Sequence, residues 1–370
     1  MRTITAWTLI ALACTACGDG PTTVEPQVYA YAAPSDIGDG LGGAHAVTVG
    51  VDATLLQTMV REIQDSVWPN IHSVLIYRSG DLVLEEYFSG VMRSDSTFRD
   101  FGRDTLHDMY SVSKSFTSAV VGLAIDSGDI LDVDQPVSDF FPEYVHLGGA
   151  LASGELDVRH LLSMSAGLEW DESSTAYTDP TNSHWQMRQA ADPIEFVLSR
   201  AQVAAPGMVF AYSTGLTALL GEVVARAAGE PFYDYIAREL FEPLGIGEFR
   251  WLEGYYQGDL AFAGGGLQLR ARDMVKFGVV YMNGGVWQGV QVVPSGWVQE
   301  STSPQASVSY GYQWWLGTHP LGGPFFRAVG LGGQHIFVFP GADLVVAFTS
   351  NGSGAGPYDL MDDYILAGIS

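Results

Sequence analysis

Strand-like apolar runs stand at the two ends of the chain body, with helical periodicity between them. That arrangement restricts the fold more than any other feature. Near the start, "HSVLIYRSGDLVLEEYF" (72–88) reads as two short strands around "RSGD", a hairpin signal. Near the end, strand patterns return in "YGYQWWLG" (310–317), "FFRAVGL" (325–331), "HIFVFPG" (335–341) and "DLVVAFTS" (343–350). The middle is mostly helical, including the run after Ser111, "DVRHLLSMSAG" (157–167), "DPIEFVLSRA" (192–201), "GLTALLGEVVARAAG" (215–229), "FYDYIARELFEPLG" (232–245) and "ARDMVKFGVVYMNGG" (271–285). Two further helical patterns flank the whole, "DATLLQTMVREIQDSV" (52–67) behind an Asp cap and "YDLMDDYILAGI" (358–369). The predicted fold class is α/β of the α+β type. One antiparallel sheet is assembled from both chain ends and packed by the terminal helices, with a mainly helical lobe at roughly 120–285 beside it. The junction of two such lobes is a natural place for a cleft.

Apolar residues make up 47% of the 370, enough for a sizeable core without disulfide staples. Acids outnumber bases 42 to 17, and a net charge of -25 argues against nucleic acid or an anionic membrane surface as a partner. The two cysteines, Cys14 and Cys17, both lie in "MRTITAWTLIALACTACGDG", which has an early arginine and a short apolar stretch. It reads as an export signal rather than a membrane span. Small residues before Cys17 resemble a bacterial lipobox. Cleavage there leaves Cys17 as a lipidated first residue and gives membrane attachment through an N-terminal lipid; the other reading is an ordinary signal peptide cut nearby. The expected division is a signal peptide at 1–17, a Gly/Pro/Ala-rich flexible tether at 18–47 and one domain at 48–370.

The chemistry centres on "MYSVSKSFTSAVVGLA" (109–124). Lys114 is one of only two lysines, with Lys276. It stands three residues after Ser111, so a helix starting there puts both side chains on one face. A serine hydroxyl needs a base to become a nucleophile, and burial lowers a lysine pKa until it can serve as one. The N–H groups at a helix start can stabilise a developing oxyanion. Ser113 and Ser115 are rival nucleophiles, but neither has a lysine three residues on. A second cluster, Tyr212-Ser213-Thr214, sits on a strand-like stretch running into a helix. A third, "AVGLGGQHIFVFP" (328–340), is rich in glycine, which admits a ligand close to the backbone.

These three pieces, in this order and spacing, resemble the serine β-lactamase and penicillin-binding-protein superfamily, and within it the class C β-lactamase-related serine hydrolases. "YSVSKSFTS", "LDVRHLLSMSAGL", "PGMVFAYSTG", "LFEPLGIGEF", "AGGGLQLRARDMVKFGVVYMNGG" and "GLGGQHIFVFPGADLVVAFTSN" all look like that group, over most of residues 50 to 369. The resemblance implies a β-lactamase/D,D-peptidase-like fold. It implies an acyl-enzyme on Ser111, Lys114 as its basic partner, and Tyr212 as a proton shuttle tuned by the adjacent lysine. The backbone N–H of Ser111 and that of Leu331 become the oxyanion donors, with Gly330, Gly332 and Thr214 in the same substrate-facing set. The implied substrate is a small-molecule amide or ester, and no metal or cofactor is required.

Two motifs depart from the family. Thr214 stands where asparagine is usual, and Ala328, preceded by Arg327, stands where lysine or histidine is usual. The usual groups hold a β-lactam's carboxylate and side-chain amide, so the departures favour an esterase, amidase or peptidase. They also leave open a second class, a non-catalytic or penicillin-sensing binding module on the same fold. Elsewhere, "DSGDILDVDQPVSDF" (126–140) reads as a solvated turn rather than a calcium loop. His160 reads as a structural histidine. Tyr177 and Trp185 are candidates for a cleft wall or a plain surface loop, and of Trp314 and Trp315 at least one is expected in the core.

Overall fold

The computed structural model describes residues 29–352 and 356–369. The expected signal peptide, both cysteines and the first part of the expected tether lie outside the described residues. A seven-stranded sheet forms the centre, from strands β1 (Gly42–Gly43), β2 (Ile71–Arg78), β3 (Asp81–Tyr87), β4 (Trp315–His319), β5 (Gly323–Gly330), β6 (Gln334–Phe339) and β7 (Leu344–Ser350). Their order is β1-β3-β2-β7-β6-β5-β4. The two chain ends meet where β2 pairs antiparallel with β7, in the register Val345 with Tyr77 and Ala347 with Leu75. All neighbours are antiparallel except the short β1, which runs parallel to β3.

Side chains alternate across the sheet. Val74, Ile76, Val346, Phe348 and Phe337 face one way, into a core with Leu56, Met59, Val60 and Ile63 of helix α1 (Ala53–Gln64) and with Leu360 and Ile365 near the C-terminus. Asp52 caps α1 as its sequence predicts, accepting from Thr54 N at 2.7 Å. Leu75, Tyr77, Val345, Ala347 and Ile336 face the other way, into the larger core shared with the helical lobe. Both faces are covered, which is why β2, β6 and β7 read as unbroken apolar runs. Helix α2 (Ser113–Asp126) packs against α3 (Thr214–Ala228) in that second core.

Three expectations are corrected here. Helix α4 (Ala271–Met282), placed in the helical lobe by its sequence position, lies on the sheet against β2, β6 and β7. The "DVRHLLSMSAG" helix stops at Leu162, because Met164 and Gly167 take positive φ. The "YGYQWWLG" segment is strand only from Trp315 onward; Trp314 is fully buried and Trp315 partly so.

The lead-in at 29–47 also is not a loose tether. The Tyr29 hydroxyl donates to Glu86 at 2.6 Å and that of Tyr31 to the Val83 carbonyl at 2.7 Å. Asp39 receives two bonds of 2.9 Å from Arg272, whose remaining guanidinium nitrogen donates to Glu85 at 2.7 Å. Arg272 is 2% exposed, so removing it takes both bonds from half-buried Asp39 and one from the buried Glu85 carboxylate. Arg272→Ala is expected to cost about 3 kcal/mol, near the low end for breaking a buried pair because Arg103 still holds Glu85. Urea melts would measure it, and a loss under about 1 kcal/mol contradicts a clamped lead-in.

Candidate active site

Ser111 sits in a single tight turn, Tyr110–Val112, that runs straight into α2. Tyr110 takes φ +47°, unusual for a bulky residue. Ser113 holds the turn: its hydroxyl donates to the Tyr110 carbonyl at 2.6 Å and accepts from Leu267 N at 3.3 Å. Ser115 is spent on the Gln313 carbonyl at 2.7 Å. Both rival nucleophiles are thus buried structural serines.

One helical turn on, Lys114 Nζ lies 3.1 Å from Ser111 Oγ, 3.0 Å from Thr214 Oγ1 and 2.8 Å from the Gly264 carbonyl. The lysine is 1% exposed. Burial lowers its pKa to about 8, against the charge of Glu172, which raises it.

Tyr212 lies just before the start of α3, where Ser213 is the N-cap. The preceding segment is irregular rather than strand. Met164 shapes it, its carbonyl accepting from Ala211 N at 2.8 Å and its sulfur from Ser213 N at 3.3 Å. That places the Tyr212 ring 5.0 Å below Lys114 Nζ and stacked on Trp315. Burial, and after it the charge of Glu172, push the phenol's pKa up, while a hydrogen bond with Ser111 pulls it down. The expected tuning partner, Lys114, lies 5.0 Å from the ring centroid.

Glu172 was not singled out by sequence. It is 1% exposed and takes four hydrogen bonds: Thr214 N at 2.7 Å and Trp170 Nε1 at 2.8 Å on one oxygen, Thr214 Oγ1 at 2.7 Å and Tyr177 OH at 3.1 Å on the other. Its only sequence signal is an acid in a loop, "LEWDESS", among 42 acids in the chain.

The third motif closes the site. Gly330 ends β5 against the nucleophile turn, and a Cβ there would fall 2.3 Å from the Met109 carbonyl. Gly332 takes φ +88° in the turn that follows. Gln334 pins this turn, donating to the Leu331 carbonyl at 3.0 Å and the Ser350 carbonyl at 2.7 Å. Ala328 is buried on the site's side of β5. Arg327 points to the opposite face, over the rings of Tyr358 and Phe325. Gly330→Ala is expected to lower kcat about 10- to 100-fold with little change in KM, because the turn at Leu331 shifts relative to Ser111. Steady-state kinetics would check it, and an unchanged kcat removes the requirement for this close approach.

Ser111, Thr214 and Leu331 line one cavity of about 470 Å³. Tyr177, His184, Leu252, Tyr255 and Phe262 supply an apolar, aromatic wall, so Tyr177 is indeed a cleft residue and Trp185 is not among the lining residues. His184 is carried down to about 4, chiefly by burial, and is neutral. The charged residues of the lining are Asp95 and Asp108, and neither lysine nor arginine is among them. His160 is structural, accepting from Asp157 N at 3.0 Å.

Residues 71–369 match the Beta-lactamase family. The chain belongs to that family. It is a serine hydrolase of the β-lactamase-related type. Among curated proteins it is 28% identical to the 6-aminohexanoate-dimer hydrolase of Paenarthrobacter ureafaciens, over 75% of this chain and 71% of that one. A β-lactamase of Yersinia enterocolitica is 27% identical over 43% of this chain and 37% of its own length. Two solved structures share the fold. A penicillin-binding protein from Bacillus halodurans has a TM-score of 0.64 at 19% identity, covering 82% of this chain and 98% of that one. A hydrolase with promiscuous acyltransferase activity has a TM-score of 0.65 at 19% identity, covering 84% and 98%. These likenesses agree with the expected mixed α/β architecture of a β-lactamase/D,D-peptidase-like protein.

Proposed function

We propose that the protein is an exported hydrolase that cleaves a small-molecule amide or ester through an acyl-enzyme on Ser111. The observation that carries this reading is the buried Lys114 amine 3.1 Å from the Ser111 hydroxyl, with its pKa brought down to about 8. Lys114 takes the serine proton as Oγ attacks the carbonyl carbon. The backbone N–H groups of Ser111 and Leu331 hold the oxyanion. Tyr212 passes a proton to the leaving alcohol or amine, and water then releases the acid from Ser111. Neither metal nor cofactor takes part in this scheme.

The substrate reading rests on the cavity. No basic side chain lines it, and Arg327 faces away, so nothing among the lining residues would hold a carboxylate where β-lactamases bind one. The aromatic wall favours an uncharged acyl or leaving group. Esters and short amides without a free carboxylate are therefore preferred over β-lactams. A panel of those substrates, with fluorophosphonate labelling followed by intact mass, tests the reading. Turnover of an ester or amide with one adduct per chain supports it. A folded protein that takes no adduct, or one whose adducts with natural acyl donors persist, returns the weight to a sensor or binding module.

Export and lipid attachment rest on the N-terminal twenty residues, with Cys17 as the modified residue. Cys17→Ser is expected to move the protein from the membrane to the soluble fraction of a cell envelope preparation. Retention in the membrane overturns the lipid anchor.

A further inference from the structure

The amine of Lys114 has three neighbours, and their chemistry dictates which way each hydrogen bond runs. Glu172 is a buried carboxylate whose two oxygens each accept two bonds. An ionised carboxylate can only accept, so the single hydroxyl proton of Thr214 is committed to Glu172 at 2.7 Å. The Thr214 oxygen is then an acceptor toward Lys114, 3.0 Å away. The Gly264 carbonyl, 2.8 Å away, is likewise only an acceptor. A neutral amine has two N–H bonds and one lone pair. Both N–H bonds are claimed, and the lone pair is left facing Ser111 Oγ at 3.1 Å. With Glu172 uncharged, the Thr214 hydroxyl is free to donate to the amine instead and to turn the lone pair away from the serine.

We propose that Glu172 is a positioning residue for the reaction, acting through the Thr214 hydroxyl to fix the polarity of the Lys114 hydrogen bonds so that its lone pair faces Ser111. The inference rests on the Lys114-as-base reading above. Thr214 itself stands where the resemblance puts the second motif's asparagine, and Glu172 holds it through both its N–H and its hydroxyl. A second effect has the same origin: the carboxylate charge opposes burial in setting the basicity of Lys114.

The test uses the full soluble body carrying Thr214→Val, Thr214→Ser or Glu172→Gln, with Lys114→Met as control. The rate of Ser111 labelling by a fluorophosphonate is followed by intact mass from pH 6 to 10. T214V and E172Q are expected to slow labelling about 10- to 100-fold, part of what a positioned base contributes. T214S, which keeps the hydroxyl, is expected to rescue the rate and the pH profile. In E172Q the acid limb moves to lower pH, since removing a negative charge beside Lys114 lowers its pKa further. That shift reports the lost charge alone; the loss in T214V, which keeps the carboxylate, and its recovery in T214S separate positioning from a purely structural role, which would lower the melting temperature without that pattern. If E172Q does not fold, the comparison of T214V with T214S decides alone. Should T214V and E172Q label at the native rate with an unmoved limb while K114M is dead, the positioning role falls and the base assignment stands. Should K114M label like the native protein, the base assignment falls first.

Discussion

Ser111→Ala is expected to abolish turnover, by about 10⁴-fold or more, and to eliminate the fluorophosphonate adduct while the fold persists. Ser111 Oγ is the only hydroxyl in the nucleophile turn that meets Lys114, since Ser113 and Ser115 donate to backbone carbonyls. No neighbouring serine is therefore placed to replace it. The structural cost is small, because the hydroxyl is not part of the core, and the melting temperature is expected to move by less than about 3 °C. Intact mass and thermal melting of the two proteins side by side check both halves. Comparable turnover by the variant would refute the acyl-enzyme mechanism outright.

Lys114→Met is expected to lower kcat/KM about 10³-fold and to remove the pH dependence that the proposed base role creates. The sign follows from the base role. Below pH about 8 the amine is protonated and cannot accept the serine proton; above it the free base accumulates. The native enzyme is therefore expected to gain kcat/KM with rising pH along a single acid limb centred near 8, then to level off. Tyr212, whose pKa is pushed up, stays protonated across that range and adds no alkaline limb. In the methionine variant the limb near 8 disappears and the residual rate is flat there. Stability should change by no more than about 2 kcal/mol, because the loss of a donor at the Gly264 carbonyl is offset by the end of burying an amine. A limb that stays near 8 without Lys114 assigns the titration to another group.

Much of the site was legible because it is local. Ser111 and Lys114 are three residues apart on one turn, and that spacing alone makes them neighbours. The sheet was legible because strands covered on both faces leave unbroken apolar runs, as β2, β6 and β7 do. Tyr212 was legible only through resemblance, since its loop has no regular period and is shaped by Met164 from another segment. The lead-in was misread for a related reason. Its Gly and Pro content is that of a tether, yet Tyr29, Tyr31 and Asp39 are held by groups far along the chain.

By itself, the sequence determined most of the longer helices and strands, the sheet made from both chain ends, and the serine–lysine spacing, all of which follow from short-range spacing and burial pattern. Only the tertiary structure decided the surroundings of that pair. Glu172 meets Thr214 across 42 residues, and the Gly264 carbonyl meets Lys114 across 150. Arg327 and Ala328 are adjacent in sequence, yet strand alternation sends one away from the site and the other toward it. The charge, direction and basicity of a catalytic group depend on its nearest neighbours in space, and a folded chain draws those neighbours from anywhere along its length.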